Sequence, residues 1–185
     1  MIEEIYQEVK DGMQSTLDSL VKEFAGVRTG RATTALVDGI LVDYFGAQTQ
    51  MKQLATISVP ESRLIVIQPW DKSVVPEVER AIQRSNLGLN PVSDGKILRI
   101  PVPPLTEERR RDLVKVVKKK AEDRRVSVRN TRRDGNDLLK QMEKDKEISE
   151  DDNRRAQERI QKLTDEFIRK VDEVTAKKEK EVMEE

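Results

Sequence analysis

Apolar residues recur at steps of three and four in three stretches of this sequence, and each stretch predicts an amphipathic helix with one buried face. The first predicted helix runs from the N-terminus to about Val27, the second begins at Thr106, and the third follows Ser149. Because each helix has only one apolar face, none can bury it alone, and the simplest arrangement is an elongated three-helix bundle. In the second helix the expected buried positions are Leu113, Val117, Ala121, Val128, Thr131, Gly135, Leu138 and Met142.

The residues between the first two predicted helices have a different pattern. Four segments rich in Val and Ile and bounded by turn-forming residues are typical of strands, namely GILVDYFG, LATISV, RLIVIQPW and KILRIPV. A helix is predicted within SVVPEVERAIQRSNLG, ending at Gly88 in a left-handed conformation. For Tyr44 and Trp70, which fall within strand patterns, we favour packing in the core over stacking on a ligand.

This change of pattern predicts two domains. Residues 31–105 form a small inserted α+β domain, and residues 1–30 and 106–185 together form the helical bundle. The chain must then cross the boundary twice, near residues 28–32 and near residues 101–106. Glycine permits backbone angles that other residues avoid, and proline stiffens the chain. The expected hinge residues are Gly30, Pro101, Pro103 and Pro104.

Composition excludes several kinds of site. The sequence has no cysteine and no histidine, which rules out disulfides, thiolate or imidazole metal ligands and the usual general base. It also lacks a GxxxxGK[ST] phosphate loop, so we expect no enzyme activity, no cofactor and no metal. Glu150, Asp151 and Asp152 are interpreted as first-turn charges of the third helix, with Ser149 and Asp152 forming a capping box. The N-terminus resembles no targeting signal and no apolar run is long enough to span a membrane, which favours the cytoplasm.

Charge is distributed unevenly along a chain whose net charge is zero. Residues 106–140 hold thirteen basic and seven acidic side chains, a net charge of +6. At 100° per residue, eight basic residues project on one side of the second helix, beside its apolar face. These residues, called the basic stripe below, are Arg111, Lys115, Lys118, Arg125, Arg129, Arg132, Arg133 and Lys140.

A basic stripe of this length can neutralise several phosphates at once. Because no aromatic residue accompanies it, we expect it to follow the backbone of folded nucleic acid and not to stack on bases. Glu122 and Asn136 interrupt the stripe. The alternative interpretation is that its arginines pair with acidic residues of the neighbouring helices.

Six motifs in this order and spacing resemble the ribosome recycling factor family over essentially the whole chain: VRTGRATTALVDGI, QLATISV, SNLGLNP, PPLTEERRRDLVK, VSVRNTRRDGND and KEISEDD. The resemblance implies an L-shaped α+β protein, in which a three-helix bundle is joined by a flexible elbow to a small β/α/β domain. It also implies a cytoplasmic, monomeric factor that binds large-subunit ribosomal RNA of the post-termination ribosome. With elongation factor G and GTP, such a factor promotes dissociation of the ribosome into subunits for a new round of translation.

The resemblance also implies site residues. The RNA-contacting arginines of the family fall on three positions of VRNTRRD, one of TEERR and two of RTGR, and the basic stripe adds two further residues. The predicted RNA-binding set is Arg110, Arg129, Arg132, Arg133, Arg125, Lys118, Arg28 and Arg31. Thr131 and Gly135 stand where family members often have a larger apolar residue and alanine. Two other classes stay open: a helical adaptor whose stripe binds an acidic protein surface, and an RNA-directed nuclease.

Overall fold

The computed structural model describes residues 1–184, and these divide into two compact units. Unit 1 comprises Met1–Phe24 and Val114–Lys180, and unit 2 comprises Ala25–Leu113 with the last residues from Glu181. The domain boundaries and the hinge expected from the sequence stay predictions. None of the helices within residues 1–184 is long and apolar enough to cross a membrane.

The regular elements confirm an α+β fold with long helices and a small sheet domain. In chain order, the helices and strands of residues 1–184 are α1 (Ile2–Ala25), β1 (Leu41–Tyr44), β2 (Ala47–Gln50), β3 (Ala55–Glu61), β4 (Leu64–Pro69), α2 (Val75–Arg84), β5 (Val92–Ser93), β6 (Leu98–Pro101), α3 (Glu107–Lys144) and α4 (Glu150–Met183). The three long helices predicted from apolar periodicity are therefore α1, α3 and α4. The first of them ends at Ala25, two residues before the predicted end.

Unit 1 is a helical bundle whose core is made by the apolar faces of α1, α3 and α4. Met13, Leu20, Leu139, Ile160 and Phe167 are among its fully buried side chains. Burial of these faces is the main favourable term for such helices, since removal of apolar surface from water stabilises them more than helix propensity does.

The buried face of α3 differs from the sequence expectation at one position. Leu139 is fully buried, whereas Leu138 is 49% exposed, so the assignment of Leu138 to the buried face was wrong. Leu139 follows Val128 by eleven residues, close to three full turns, and Leu138 falls about 100° short of that direction. The predicted buried position of Gly135 is confirmed.

The start of α4 has the capping box expected from the sequence. The backbone N–H of Asp152 donates to Ser149 Oγ at 3.0 Å, and the backbone N–H of Ser149 donates to Asp152 Oδ2 at 3.4 Å. Asp151 forms ion pairs with Arg154 at 2.6 Å and Arg155 at 2.8 Å, and the hydrogen bond from Arg154 lowers its pKa. These carboxylates therefore stabilise the first turn of the helix.

Unit 2 is built on a four-stranded antiparallel sheet with the order β3-β4-β6-β5, beside a separate hairpin of β1 and β2. Its core combines Ile65 and Ile67 of β4 and Ile100 of β6 with Val78 and Ile82 of α2. The Val- and Ile-rich segments correspond to β1, β3, β4 and β6. Sequence reasoning missed β2 and β5, because β2 is polar and β5 has only two residues.

Two expectations for unit 2 were wrong. The side chain of Trp70 is 66% exposed and donates from Nε1 to Thr56 Oγ1 at 2.9 Å, so it does not pack in the core. Alternation along β4 explains this. Ile65 and Ile67 point inward, so Trp70, three positions after Ile67 and just beyond the end of the strand, points outward. Tyr44 is half-buried and packs against the core, as expected.

The second wrong expectation for unit 2 is the residue at which α2 ends. The helix ends at Arg84, four residues before Gly88, and the Ser85 hydroxyl donates to the carbonyl of Ile82 at 2.6 Å. The first left-handed residue after the helix is Asn86, with φ 56°; Gly88, with φ 67°, lies in the following loop. Asparagine tolerates this conformation better than most residues, which allows the helix to stop early.

Candidate nucleic-acid interface

Most of the basic stripe lies on the part of α3 that belongs to unit 1. The helix is continuous from Glu107 to Lys144, so Lys118 and Arg133 are separated by about 22 Å along its axis. The side chains of Lys118, Arg129 and Arg133 are exposed, and those of Arg125 and Arg132 are half-buried.

Arg125 is held by carboxylates. Its guanidinium lies 2.7 Å from Asp172 of α4 and 3.2 Å from Glu122. Burial lowers the pKa of Arg125, but hydrogen bonds to Asp172 and Glu122 outweigh this effect and raise the pKa above its ordinary value. The alternative interpretation, ion pairing with neighbouring acidic residues, therefore applies at this position. Arg129 makes a longer contact with the same Glu122, at 3.5 Å, and remains exposed.

Three residues of the stripe keep their positive charge, because no carboxylate pairs with Lys118, Arg132 or Arg133 within residues 1–184. Arg132 donates from Nη1 to the amide oxygen of Gln161 at 3.2 Å. Lys118 and Arg133 form no ion pair with any other residue of the described chain, 1–184. A positive, solvent-facing surface thus remains on α3 around Lys118, Arg129, Arg132 and Arg133.

The other predicted arginines lie in unit 2 and have different surroundings. Arg28 is half-buried and donates from Nη2 to the carbonyl of Pro103 at 2.8 Å. Arg110 is only 6% exposed and donates from Nη1 to the carbonyl of Met183 at 2.9 Å. Both side chains therefore contribute to the packing of unit 2 through hydrogen bonds to backbone carbonyls.

Arg31 and Arg110 also line a cavity of about 340 Å³, together with Arg63. Sequence reasoning missed Arg63, because it lies in the turn between β3 and β4, far from the other two along the chain. The sheet brings it close: the backbone N–H of Val102 donates to the Arg63 carbonyl at 2.8 Å. Three arginines therefore line this cavity, and no signal in the sequence indicated it.

The expected hinge residues all belong to unit 2. Gly30 has φ 81°, a conformation that favours glycine, and Pro101 is the last residue of β6. The hinge role of Gly30, Pro101, Pro103 and Pro104 stays a prediction.

Comparison with known proteins decides the family. The family model described as Ribosome recycling factor matches residues 20–183. The chain belongs to the ribosome recycling factor family. The ribosome-recycling factor of Solidesulfovibrio magneticus is 56% identical over 180 residues, which cover 97% of this chain and 98% of that protein. The ribosome-recycling factor of Carboxydothermus hydrogenoformans is 54% identical over 183 residues, which cover 99% of each.

Solved structures of ribosome recycling factors have the same fold. A solution structure of the ribosome recycling factor is 47% identical, with a TM-score of 0.80 and coverage of 98% of this chain and 97% of that one. A second structure gives models for the T. thermophilus ribosome recycling factor and the E. coli elongation factor G bound to the E. coli post-termination complex. It is 46% identical, with a TM-score of 0.68 and full coverage of both chains. The resemblance seen in the six sequence motifs is confirmed.

Proposed function

We propose that this protein recycles ribosomes in the cytoplasm. It binds large-subunit ribosomal RNA of the post-termination ribosome and, with elongation factor G and GTP, promotes dissociation into subunits. Family membership over the length of the chain supports this function, as does similarity to a recycling factor studied with elongation factor G on a post-termination complex. The protein is a translation factor without catalytic residues, and elongation factor G consumes the GTP.

The observation that carries the RNA-binding part of the proposal is the surface of α3 that keeps its positive charge. Lys118, Arg129, Arg132 and Arg133 are proposed to contact phosphates, because binding them releases counterions from the RNA and so supplies affinity. Arginine suits this role, since its planar guanidinium can donate two hydrogen bonds to one phosphate. Arg125 contributes less to RNA affinity, because Asp172 and Glu122 already neutralise it.

The arginines of unit 2 are proposed as secondary contacts. Arg31 is exposed at the edge of the cavity that it lines with Arg63 and Arg110. A phosphate contact by Arg28 or Arg110 requires a second donor of each guanidinium, since one donor is engaged by a backbone carbonyl.

The predicted hinge is part of the same proposal. Bending at Gly30, Pro101, Pro103 and Pro104 would let the inserted domain move while α3 stays bound to RNA. The left-handed backbone at Gly30 supports a special conformational role at this residue, because residues with a Cβ are strained there.

Two assays with purified components test the function. The protein is expected to co-sediment with 50S subunits and to split post-termination ribosomes only when elongation factor G and GTP are also present. Binding without any splitting would contradict the proposal and favour the adaptor class. Cleavage of the ribosomal RNA by the protein would favour the nuclease class.

A further inference from the structure

Helix α4 provides the arginines of α3 with two chemically different partners. Arg125 faces the carboxylate of Asp172, with 2.8 Å between Nε and Oδ1. Two turns further along α3, Arg132 faces the amide of Gln161, with 3.2 Å between Nη1 and Oε1. Both contacts join the same two helices, so the difference lies in the charge of the acceptor.

The two acceptors have different electrostatic consequences. A carboxylate orients a guanidinium and cancels its charge, whereas an amide oxygen orients it and leaves the full positive charge. Arginine has five N–H donors, so a single bond to Gln161 leaves several donors for a phosphate. Arg132 can therefore be held in place and still attract a polyanion.

Gln161 is itself fixed in orientation. Its Nε2 donates to Asp165 Oδ1, four residues later on α4, at 2.9 Å. With its amide nitrogen bonded to Asp165, the side chain of Gln161 presents its amide oxygen to Arg132. A glutamate at position 161 would instead pair directly with Arg132.

We propose that Gln161 is a positioning residue for ribosome binding, which presents the Arg132 guanidinium to a phosphate while leaving its charge unneutralised. The inference rests on the proposed function, since it assumes that Arg132 contacts ribosomal RNA. It adds a residue of α4 to a predicted site that contained no residue of that helix. The pattern of α4 could not indicate this, because an exposed glutamine in a charged helix carries no distinctive signal.

The salt dependence of 50S binding tests this role. Gln161→Glu keeps the size of the side chain and adds a negative charge opposite Arg132. We expect it to weaken binding about tenfold and to lower the slope of log affinity against log salt by about one, the same change that we expect for Arg132→Ala. In the combination with Arg132→Ala, Gln161→Glu should have little further effect, because the charge that it cancels is already gone.

Two further variants separate charge from shape. Gln14→Glu is a matched control, since Gln14 donates to Asp18 four residues later at 2.9 Å, just as Gln161 does to Asp165, but lies on α1. It adds the same charge and should leave the salt slope unchanged. Gln161→Met removes the acceptor without adding charge, so affinity should fall a few-fold while the slope stays that of the wild type.

The outcomes distinguish this inference from the proposed function. If Arg132→Ala weakens binding but Gln161→Glu behaves like Gln14→Glu, the positioning role is overturned and the function stands. If Gln161→Met lowers the slope as much as Gln161→Glu, a structural effect explains both variants and the inference is also overturned. If Arg132→Ala leaves binding unchanged at every salt concentration, Arg132 is removed from the proposed site and Gln161 with it.

Discussion

At the scale of single residues, Gly135 shows how the surroundings change the meaning of a sequence feature. In an isolated helix, this glycine destabilises α3 by about 1 kcal/mol relative to alanine. In the bundle, a Cβ at this position would lie 2.5 Å from Cγ2 of Val9 and 3.3 Å from Cδ1 of Ile160. The glycine therefore allows α1 and α4 to approach α3 closely.

We predict that Gly135→Ala destabilises the protein despite its gain in helix propensity. Valine in a helix has little rotamer freedom, so Val9 cannot easily move away from the added methyl group. Overpacking of about 1–3 kcal/mol should exceed the gain of about 1 kcal/mol, and the urea midpoint should fall. Gly39→Ala is the control, because nothing lies within 4 Å of a Cβ there. An increased midpoint for Gly135→Ala would show that the helices separate without cost.

At the scale of elements, α1 is joined to α3 by a cluster of ion pairs. Glu23 near the end of α1 accepts hydrogen bonds from Lys120 at 3.4 Å and from Arg124, and all three side chains are partly buried. Partial burial raises the pKa of Glu23, but the hydrogen bonds from Arg124 and Lys120 outweigh it, so the pKa lies below its ordinary value of 4.5. The ionised form of Glu23 is therefore stabilised by folding.

This lowered pKa predicts the pH dependence of the contribution of Glu23 to stability. A carboxyl group whose pKa is lower in the folded state stabilises the fold fully above its unfolded pKa and loses this effect as the pH falls through its folded pKa. Glu23→Gln should lower the free energy of unfolding by about 1 kcal/mol at pH 7. Denaturant titrations should show this difference shrinking below pH 4.5.

Glu8→Gln provides the comparison for Glu23→Gln. Glu8 is an exposed acidic residue of the same helix and has no ion pair within residues 1–184. Its substitution should have little effect at either pH. A Glu23→Gln difference that persists unchanged at pH 3 would mean that shape, and not charge, connects the two helices here.

At the scale of the whole molecule, a net charge of zero coexists with a net charge of +6 in residues 106–140. Long-range attraction to RNA is therefore local to one surface, and the acidic remainder of the chain limits non-specific binding to other polyanions. Where ion pairs neutralise the charge of a basic residue, as at Arg125, the positive surface is interrupted. In the proposed site, the positive residues that remain on α3 are expected to determine how strongly RNA binding depends on salt.

We predict that Arg133→Ala lowers the salt slope of 50S binding by about one and changes the free energy of unfolding by less than about 0.5 kcal/mol. Arg133 is exposed and has no carboxylate partner among residues 1–184, so its loss removes charge without disturbing packing. Arg169→Ala is the matched control, since Arg169 is an exposed arginine of α4 that lies 4.0 Å from Glu173. Equal slopes for the two variants would place the RNA elsewhere than on α3.

The proposed hinge should affect ribosome splitting more strongly than it affects binding to the 50S subunit. Gly30→Ala should reduce ribosome splitting with elongation factor G more than it reduces 50S binding, because alanine is strained at the φ of 81° that Gly30 adopts. Gly95→Ala imposes comparable strain at φ 89° in the same unit, at a position where a Cβ would meet nothing within 4 Å. If both variants reduce splitting equally, general destabilisation of unit 2 is the cause, and Gly30 has no hinge role.

The sequence by itself determined the features that depend on neighbours along the chain. Apolar periodicity located α1, α3 and α4, and the capping box at Ser149 marked the start of α4. The six motifs identified the family, and the projection of the second helix placed eight of its basic residues on one side. These features were predictable because helix geometry, capping and motif spacing are local properties of the chain.

Only the tertiary structure decided which side chains face one another. It placed Leu139 in the core in place of Leu138, exposed Trp70, paired Arg125 with Asp172 and set Gln161 against Arg132. Each of these outcomes depends on how one element packs against another, and residues far apart in sequence leave no local pattern of their contact. The order of residues along the chain therefore specifies a basic helix, and the packing of α4 against that helix decides which of its charges are paired with carboxylates.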